Sequence, residues 1–271
     1  MNLALVFDFD DTLVPDSTSG LLDFVGVDKA QFWESSSKRV DDGFSMDLAY
    51  LGHMIQLERQ LGRSIFTQKA MTEWGAQLPL FQGLPSFFSA FRALIKEEFP
   101  CVRLAFYAVS SGMETVISAC ALRPYLEEAW GAEFAHHEDG SLNEVKRSMS
   151  MTEKTRYLFD ISKRCSSEPS LRTCEAKNSK DYTLSTPFKN MIYIGDGLTD
   201  LPCFSLLRHL GGQAFCVYSP LDLEKKVWCA DMLQDRKIAG MFEADYRKDS
   251  PLWEGLRQGI GNIVRSLVPN D

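Results

Sequence analysis

The sequence predicts an α/β protein: an open, mostly parallel sheet covered by helices on both faces, with a helical segment inserted after the first strand. Three observations carry this. From Leu84 onward, short apolar runs alternate with stretches of helical spacing, the pattern of strands joined by helices. Residues 14–83 have helical spacing with no strong strand among them. The chain has 271 residues, enough for one large α/β domain and a smaller appendage.

The elements follow in order. Leu3 to Phe7 is a continuous apolar run of strand length, as expected for a strand buried on both faces. Helical spacing then appears in Gly20 to Val25, Ala30 to Trp33, Met46 to Leu61 and Phe66 to Trp74. A helix over Pro85 to Glu98 precedes a strand over Val102 to Val109, and a second helix follows Gly112 and runs to about Leu122. Ala132 to Phe134 reads as a short strand entering a turn at Glu138-Asp139-Gly140. Thr152 is a candidate N-cap for a helix to Lys163. Met191 to Ile194 is a strand, Thr199 to Leu210 a helix, Ala214 to Tyr218 a strand, and Pro251 to Leu267 a closing helix. Cys165 to Pro187 is polar and reads as a surface excursion. No internal repeat is visible. The resulting division is a core of residues 1–13 and 84–271 with an insertion of 14–83.

Bulk properties narrow the function. A net charge of -8 argues against nucleic acid as the main partner, because phosphate backbones recruit basic faces. A small phosphorylated substrate stays open, since a metal ion and a lysine can meet its charge locally. No stretch approaches a membrane span, and the acidic N-terminus lacks the basic start and long apolar core of a signal peptide. None of the seven cysteines forms a CxxC pair. That argues against zinc and for reduced, mostly buried thiols in the cytoplasm. Oligomeric state is not legible.

Four groups of residues carry chemistry. Asp8 and Asp10 stand at the carboxyl end of the first strand, where open α/β sheets place ligands. Two apart in an extended chain, they are expected to share one face and crowd each other, which calls for a cation or a shared proton. Asp196 and Asp200, in Gly195-Asp196-Gly197-Leu198-Thr199-Asp200, follow another apolar strand. The two acidic clusters together form a hard-cation site suited to Mg²⁺; helix capping is the simpler role for Asp200. Ser110, Ser111 and Gly112 follow the Val102 to Val109 strand as a candidate anion cradle at a helix start. Lys154 lies in the first turn of a helix, the wrong end of the dipole for a cation. It is a candidate partner for a phosphoryl group and the carboxylates, with Arg156 as its rival.

The order Asp8-Phe9-Asp10-Asp11-Thr12, then a strand ending in Ser110, then Lys154, then Gly195 to Asp200 resembles the haloacid dehalogenase (HAD) superfamily of phosphohydrolases. Within it, the chain resembles the phosphoserine-phosphatase-like group. The resemblance implies a Rossmann-like core, a helical cap at 14–83, and Mg²⁺ as cofactor. It also implies roles. Asp8 would be the nucleophile and form an aspartyl-phosphate. Asp10 would protonate the leaving oxygen and then activate water. Ser110 and Lys154, with Ser111 and Gly112 around them, would hold the phosphoryl oxygens. Asp8, the backbone carbonyl of Asp10 and Asp196 would bind the metal, with Asp200 in support. Phosphoserine phosphatases usually carry a glutamate nine residues past the nucleophile; here that position is Ser17, beside Asp16. Asp16, Arg39, His53 and Arg63 are candidate substrate contacts from the cap, each with a packing or surface role as the simpler alternative. His136 and His137 lie in a polar turn and are expected to be exposed. Phosphotransfer or mutase chemistry on the same scaffold, and a silent binding domain, are the competing functions.

Overall fold

The computed structural model describes residues 1–163, 186–220 and 222–267. Among them, seven strands form one sheet in the order β4-β3-β2-β1-β5-β6-β7. They are β1 (Asn2–Phe7), β2 (Arg103–Met113), β3 (Glu128–His136), β4 (Leu142–Arg147), β5 (Met191–Gly195), β6 (Gln213–Tyr218) and β7 (Gly240–Glu243). All pair in parallel except β4, which runs antiparallel to β3 at the edge.

β1 is central because both of its faces are apolar. Leu3, Leu5 and Phe7 enter one core layer, and Ala4 and Val6 the other. Each fully buried large apolar side chain contributes about 1.5–3 kcal/mol. Helices α5 (Ser86–Glu98), α6 (Glu114–Ala119) and the closing α10 (Pro251–Leu267) give residues such as Phe87, Val116 and Leu256 to the first layer. Helices α7 (Glu153–Lys163), α8 (Leu201–His209) and α9 (Leu223–Gln234) give Tyr157, Phe204 and Cys229 to the second. The sheet is thus covered on both faces, as expected of parallel strands.

Between β1 and α5 the chain forms α1 (Ser17–Phe24), α2 (Lys29–Asp41), α3 (Met46–Leu61) and α4 (Gln68–Ala76). Side chains of Asp16, Asp28 and Thr67 cap α1, α2 and α4. This helical segment is bonded to the sheet layer at named points. Glu58 is buried, and its carboxylate accepts from Ile65 N, Phe66 N and, across to β4, Leu142 N at 2.7–2.8 Å. Tyr50 Oη donates to the Ser111 carbonyl of β2; within the segment, Trp74 Nε1 donates to the Ser17 carbonyl.

The structure departs from the sequence reading in three respects. Strand β2 continues through Ser110, Ser111 and Gly112 to Met113, and α6 begins only at Glu114. The expected cradle at a helix start is therefore an irregular strand end, with a register shift between Val109 and Met113. β4, β7 and α9 were not expected. Cys216 and Cys229 form a disulfide with Cα atoms 6.0 Å apart, because α9 lays Cys229 over β6; Cys101, Cys120 and Cys203 are free. The reading of Cys165 to Pro187 falls almost wholly outside the described residues.

Glu58→Ala leaves three buried N–H groups without an acceptor. Loss of about 3 kcal/mol or more is expected, read as a lower urea midpoint in equilibrium unfolding.

Candidate active site

The sheet order reverses direction between β1 and β5, which places a crevice at their carboxyl ends. Asp8 leaves β1 with its N–H bonded to the Ile194 carbonyl at 2.8 Å, and Asp196 leaves β5 directly alongside. Asp8, Asp196 and Asp200 are buried, and each offers an oxygen within 4.8 Å of the others.

The turn after β5 is built by Asp200. Its Oδ2 accepts from Asp196 N at 3.0 Å and Gly197 N at 3.2 Å. Its Oδ1 accepts from Tyr193 Oη and Lys154 Nζ, both at 2.8 Å. Four donors use the hydrogen-bonding capacity of one carboxylate. Gly195 is required here, since a Cβ would stand 2.3 Å from Asp200 Oδ2. Gly197 has open space around it and an extended φ of -150°, so the turn places no such demand there.

Lys154, the second residue of α7, is wholly buried. Its ammonium lies 2.8 Å from Asp8 Oδ2 and 2.8 Å from Asp200 Oδ1. Burial alone would depress its pKa, but Asp200 and Asp8 hold it above the usual lysine range. Arg156 turns away to Glu153 and Asp160 on its own helix.

Asp10 faces elsewhere. Its Oδ1 accepts from Ser17 N at 2.7 Å. Its Oδ2 packs on Gly112, where a Cβ would stand 2.6 Å from it and 3.2 Å from Ser110 Oγ. Ser110 Oγ in turn accepts from Gly112 N at 2.9 Å. Asp10 thus has partners of its own, Ser17 and Gly112, distinct from those of Asp8. The two carboxyls are perturbed by different neighbours. Burial, then Asp200, pushes Asp8 well up, against the pull of Lys154. Burial, with Asp16 and Asp11 adding to it, pushes Asp10 to about 6. Burial and Asp200 push Asp196 to about 7, against Lys225.

Two residues went unread in the sequence. Lys225, the third residue of α9, bonds Asp196 Oδ2 and lies 3.4 Å from Asp11 Oδ2. The signal that singled out Lys154, a lysine in the first turn of a helix, holds for Lys225 as well but needed α9 to be recognised first. Tyr50 comes from α3 to the Ser111 carbonyl, and burial and Asp10 raise its hydroxyl above the usual range. Of the candidate substrate contacts, Asp16 caps α1 and its charge reaches Asp10. Arg39 bonds Gln56, and His53 stacks on Phe32 and pairs with Ser36. Arg63 and His53 line a separate cavity of about 270 Å³. His137 is exposed in the β3–β4 turn and His136 is half-buried.

A bound cation fits this donor set on the chemistry of the ligands. Three buried carboxylates meet there, a hard-oxygen donor set that could hold a metal ion, and burial followed by Asp200 raises the pKa of Asp8 and Asp196 even with Lys154 and Lys225 beside them.

Known structures share the fold. A HAD family hydrolase from Salmonella enterica serovar Typhi superposes with a TM-score of 0.58 at 15% identity, over 88% of this chain and 66% of that one. A phosphoserine phosphatase solved as a phospho-aspartyl intermediate analogue gives 0.57 at 13% identity, over 95% and 98%. The chain therefore shares its Rossmann-like fold with these two proteins. An uncharacterised protein of Borreliella burgdorferi is 26% identical over 95% of this chain and 96% of its own length. No family model matches the chain. Among the described residues, no helix is long and apolar enough to cross a membrane.

The raised carboxyls have a sign-definite consequence. Asp8, Asp10 and Asp196 bind protons more tightly folded than unfolded. Their effect on stability is therefore most favourable below about pH 4 and declines as pH rises, through about 6 for Asp10 and about 7 for Asp196. In EDTA, urea unfolding is expected to show a more stable protein at pH 5 than at pH 7.5, with the gap narrowed by added Mg²⁺.

Proposed function

We propose that this chain is a magnesium-dependent phosphomonoester hydrolase that works through an aspartyl-phosphate on Asp8 and acts on a small phosphorylated metabolite. The observation that carries the proposal is the convergence of Asp8, Asp196 and Asp200 on one point, with the buried Lys154 joining two of them. In this reading, the helices of 14–83 are a cap over the core of 1–13 and 84–271. Among the described residues, the unpaired Cys101, Cys120 and Cys203 support a cytoplasmic setting, while the Cys216–Cys229 pair removes the cysteine count as an argument for it.

The residues divide the chemistry. Asp8 needs to be ionised to attack phosphorus, yet burial and Asp200 oppose this. Lys154 supplies part of the compensation. Mg²⁺, held by Asp8, Asp196 and the Asp10 carbonyl with Asp200 in support, would supply the remaining positive charge. Lys154 and Ser110 hold the phosphoryl oxygens. Asp10, raised to about 6, keeps a proton available to the leaving oxygen near neutral pH. Once that proton is given up, the same carboxylate draws one from water, and the acyl phosphate on Asp8 is hydrolysed. Two carboxyls two residues apart take unlike roles because their surroundings differ, as in other acid and nucleophile pairs.

Purified protein is expected to hydrolyse p-nitrophenyl phosphate with Mg²⁺, and EDTA or Asp8→Asn to reduce the rate to background. Full activity in Asp8→Asn would refute the nucleophile assignment. Asp10→Asn is expected to slow steady-state turnover of an alkyl phosphate by about 10²–10⁴-fold. A broad phosphate-ester panel with EDTA controls identifies the substrate class, and phosphate delivered to a second hydroxyl instead of released would mark a transferase.

A further inference from the structure

We infer that Lys225 is a tethered competitor for the metal position, an ammonium that sits on Asp196 when the site holds no metal and is displaced when Mg²⁺ binds. This deepens the reading above and rests on its assignment of Asp196 as a metal ligand.

The two lysines of the site divide its carboxylates between them. Lys154 is fully enclosed and bonded to Asp8 and Asp200. Asp196 is left to Lys225, which bonds its Oδ2 and also reaches Asp11 Oδ2 at 3.4 Å. The two differ in freedom. The Lys154 side chain has no exposure, whereas that of Lys225 is 22% exposed. A flexible four-carbon stem lets an ammonium at the surface withdraw without disturbing the core. Lys225 stands in the first turn of α9, an unfavourable place for a cation; its partners are what hold it there. A dication bound to Asp196 would face this ammonium at close range, so both cannot draw fully on one carboxylate. Asp11 gives the displaced ammonium a second partner at the rim. That residue has φ +52°, a backbone state uncommon for non-glycine residues. Lys225 therefore offsets the charge of Asp196 in the metal-free site and raises the Mg²⁺ concentration needed to fill it.

The test is calorimetric titration of Mg²⁺, without substrate, into the EDTA-stripped and desalted full chain. Lys225→Met is expected to bind Mg²⁺ about tenfold more tightly, equivalent to about 1.4 kcal/mol. Lys226→Met removes the same charge one residue away and should leave the affinity within twofold. Lys225→Gln, which keeps a donor without the charge, should follow Lys225→Met and serves if that variant fails to fold. Melting gives a second readout: Lys225→Met should lower the metal-free midpoint and leave the Mg²⁺-saturated midpoint unchanged. Unchanged or weaker Mg²⁺ binding in both Lys225 variants, or equal losses of both midpoints, overturns the inference alone. Absence of Mg²⁺ binding in the wild type, or wild-type binding in Asp196→Asn, overturns the metal assignment and this inference with it.

Discussion

The ammonium of Lys154, sealed between Asp8 and Asp200, is the contact on which the site depends. It ties the end of β1 to the turn after β5, and its own backbone belongs to α7 on one face of the sheet. Removing one member of a buried ionic set leaves the others uncompensated, which typically costs about 3–5 kcal/mol. The surrounding geometry follows from satisfying that charge. Asp200 spends one oxygen on Lys154 and Tyr193 and the other on the backbone of the 195–197 turn. A residue that helps hold the charge thus also shapes the loop that presents Asp196.

The second organising feature is the separation of Asp8 from Asp10. One residue lies between them, yet each has its own pocket. Asp8 faces the lysine and the acids of β5, and Asp10 faces Ser17, Ser110 and Gly112. Ser17 opens α1, so the helical segment itself holds Asp10 in place. Tyr50 binds the same segment to the Ser111 carbonyl, and Trp74 holds Ser17 from within it. The helical segment is thereby coupled to the Asp10 carboxyl as well as to the end of β2.

Much of this was legible in the sequence, for physical reasons. β1 and β5 are continuous apolar runs, and the helices Met46–Leu61 and Pro251–Leu267 carry clear helical spacing to their ends. Four of the clustered groups, Asp8, Asp196, Asp200 and Lys154, follow from acids after apolar strands and a lysine at a helix start. What was missed lies where burial is partial. β4 buries Leu142 and leaves alternate residues in or near solvent at a sheet edge, and β7 is four residues long. Helix α9 exposes Leu223 and Val227 while burying Cys229 and Met232, so its apolar residues mark the wrong face. Without that helix, neither Lys225 nor the pairing of Cys216 with Cys229 has a visible cause. Tyr50 was hidden for a different reason: its partner is a backbone carbonyl, which no side-chain pattern announces.

The central position of β1 has a consequence for how the chain acquires its structure. This strand is made first, yet its neighbours are distant: Ala4 pairs with Ala105 on one side and Met191 on the other. At a synthesis rate of about 5–20 residues per second, the strand waits roughly ten to forty seconds for its second neighbour. During that interval its apolar run is shielded on one edge at most. The inserted helices wait as well, since Tyr50 bonds Ser111 and Glu58 bonds Leu142, and the sheet must close long loops before its pairings reward it. The central strand is therefore also one whose environment is completed late, and the site at its end exists only after β5 has arrived.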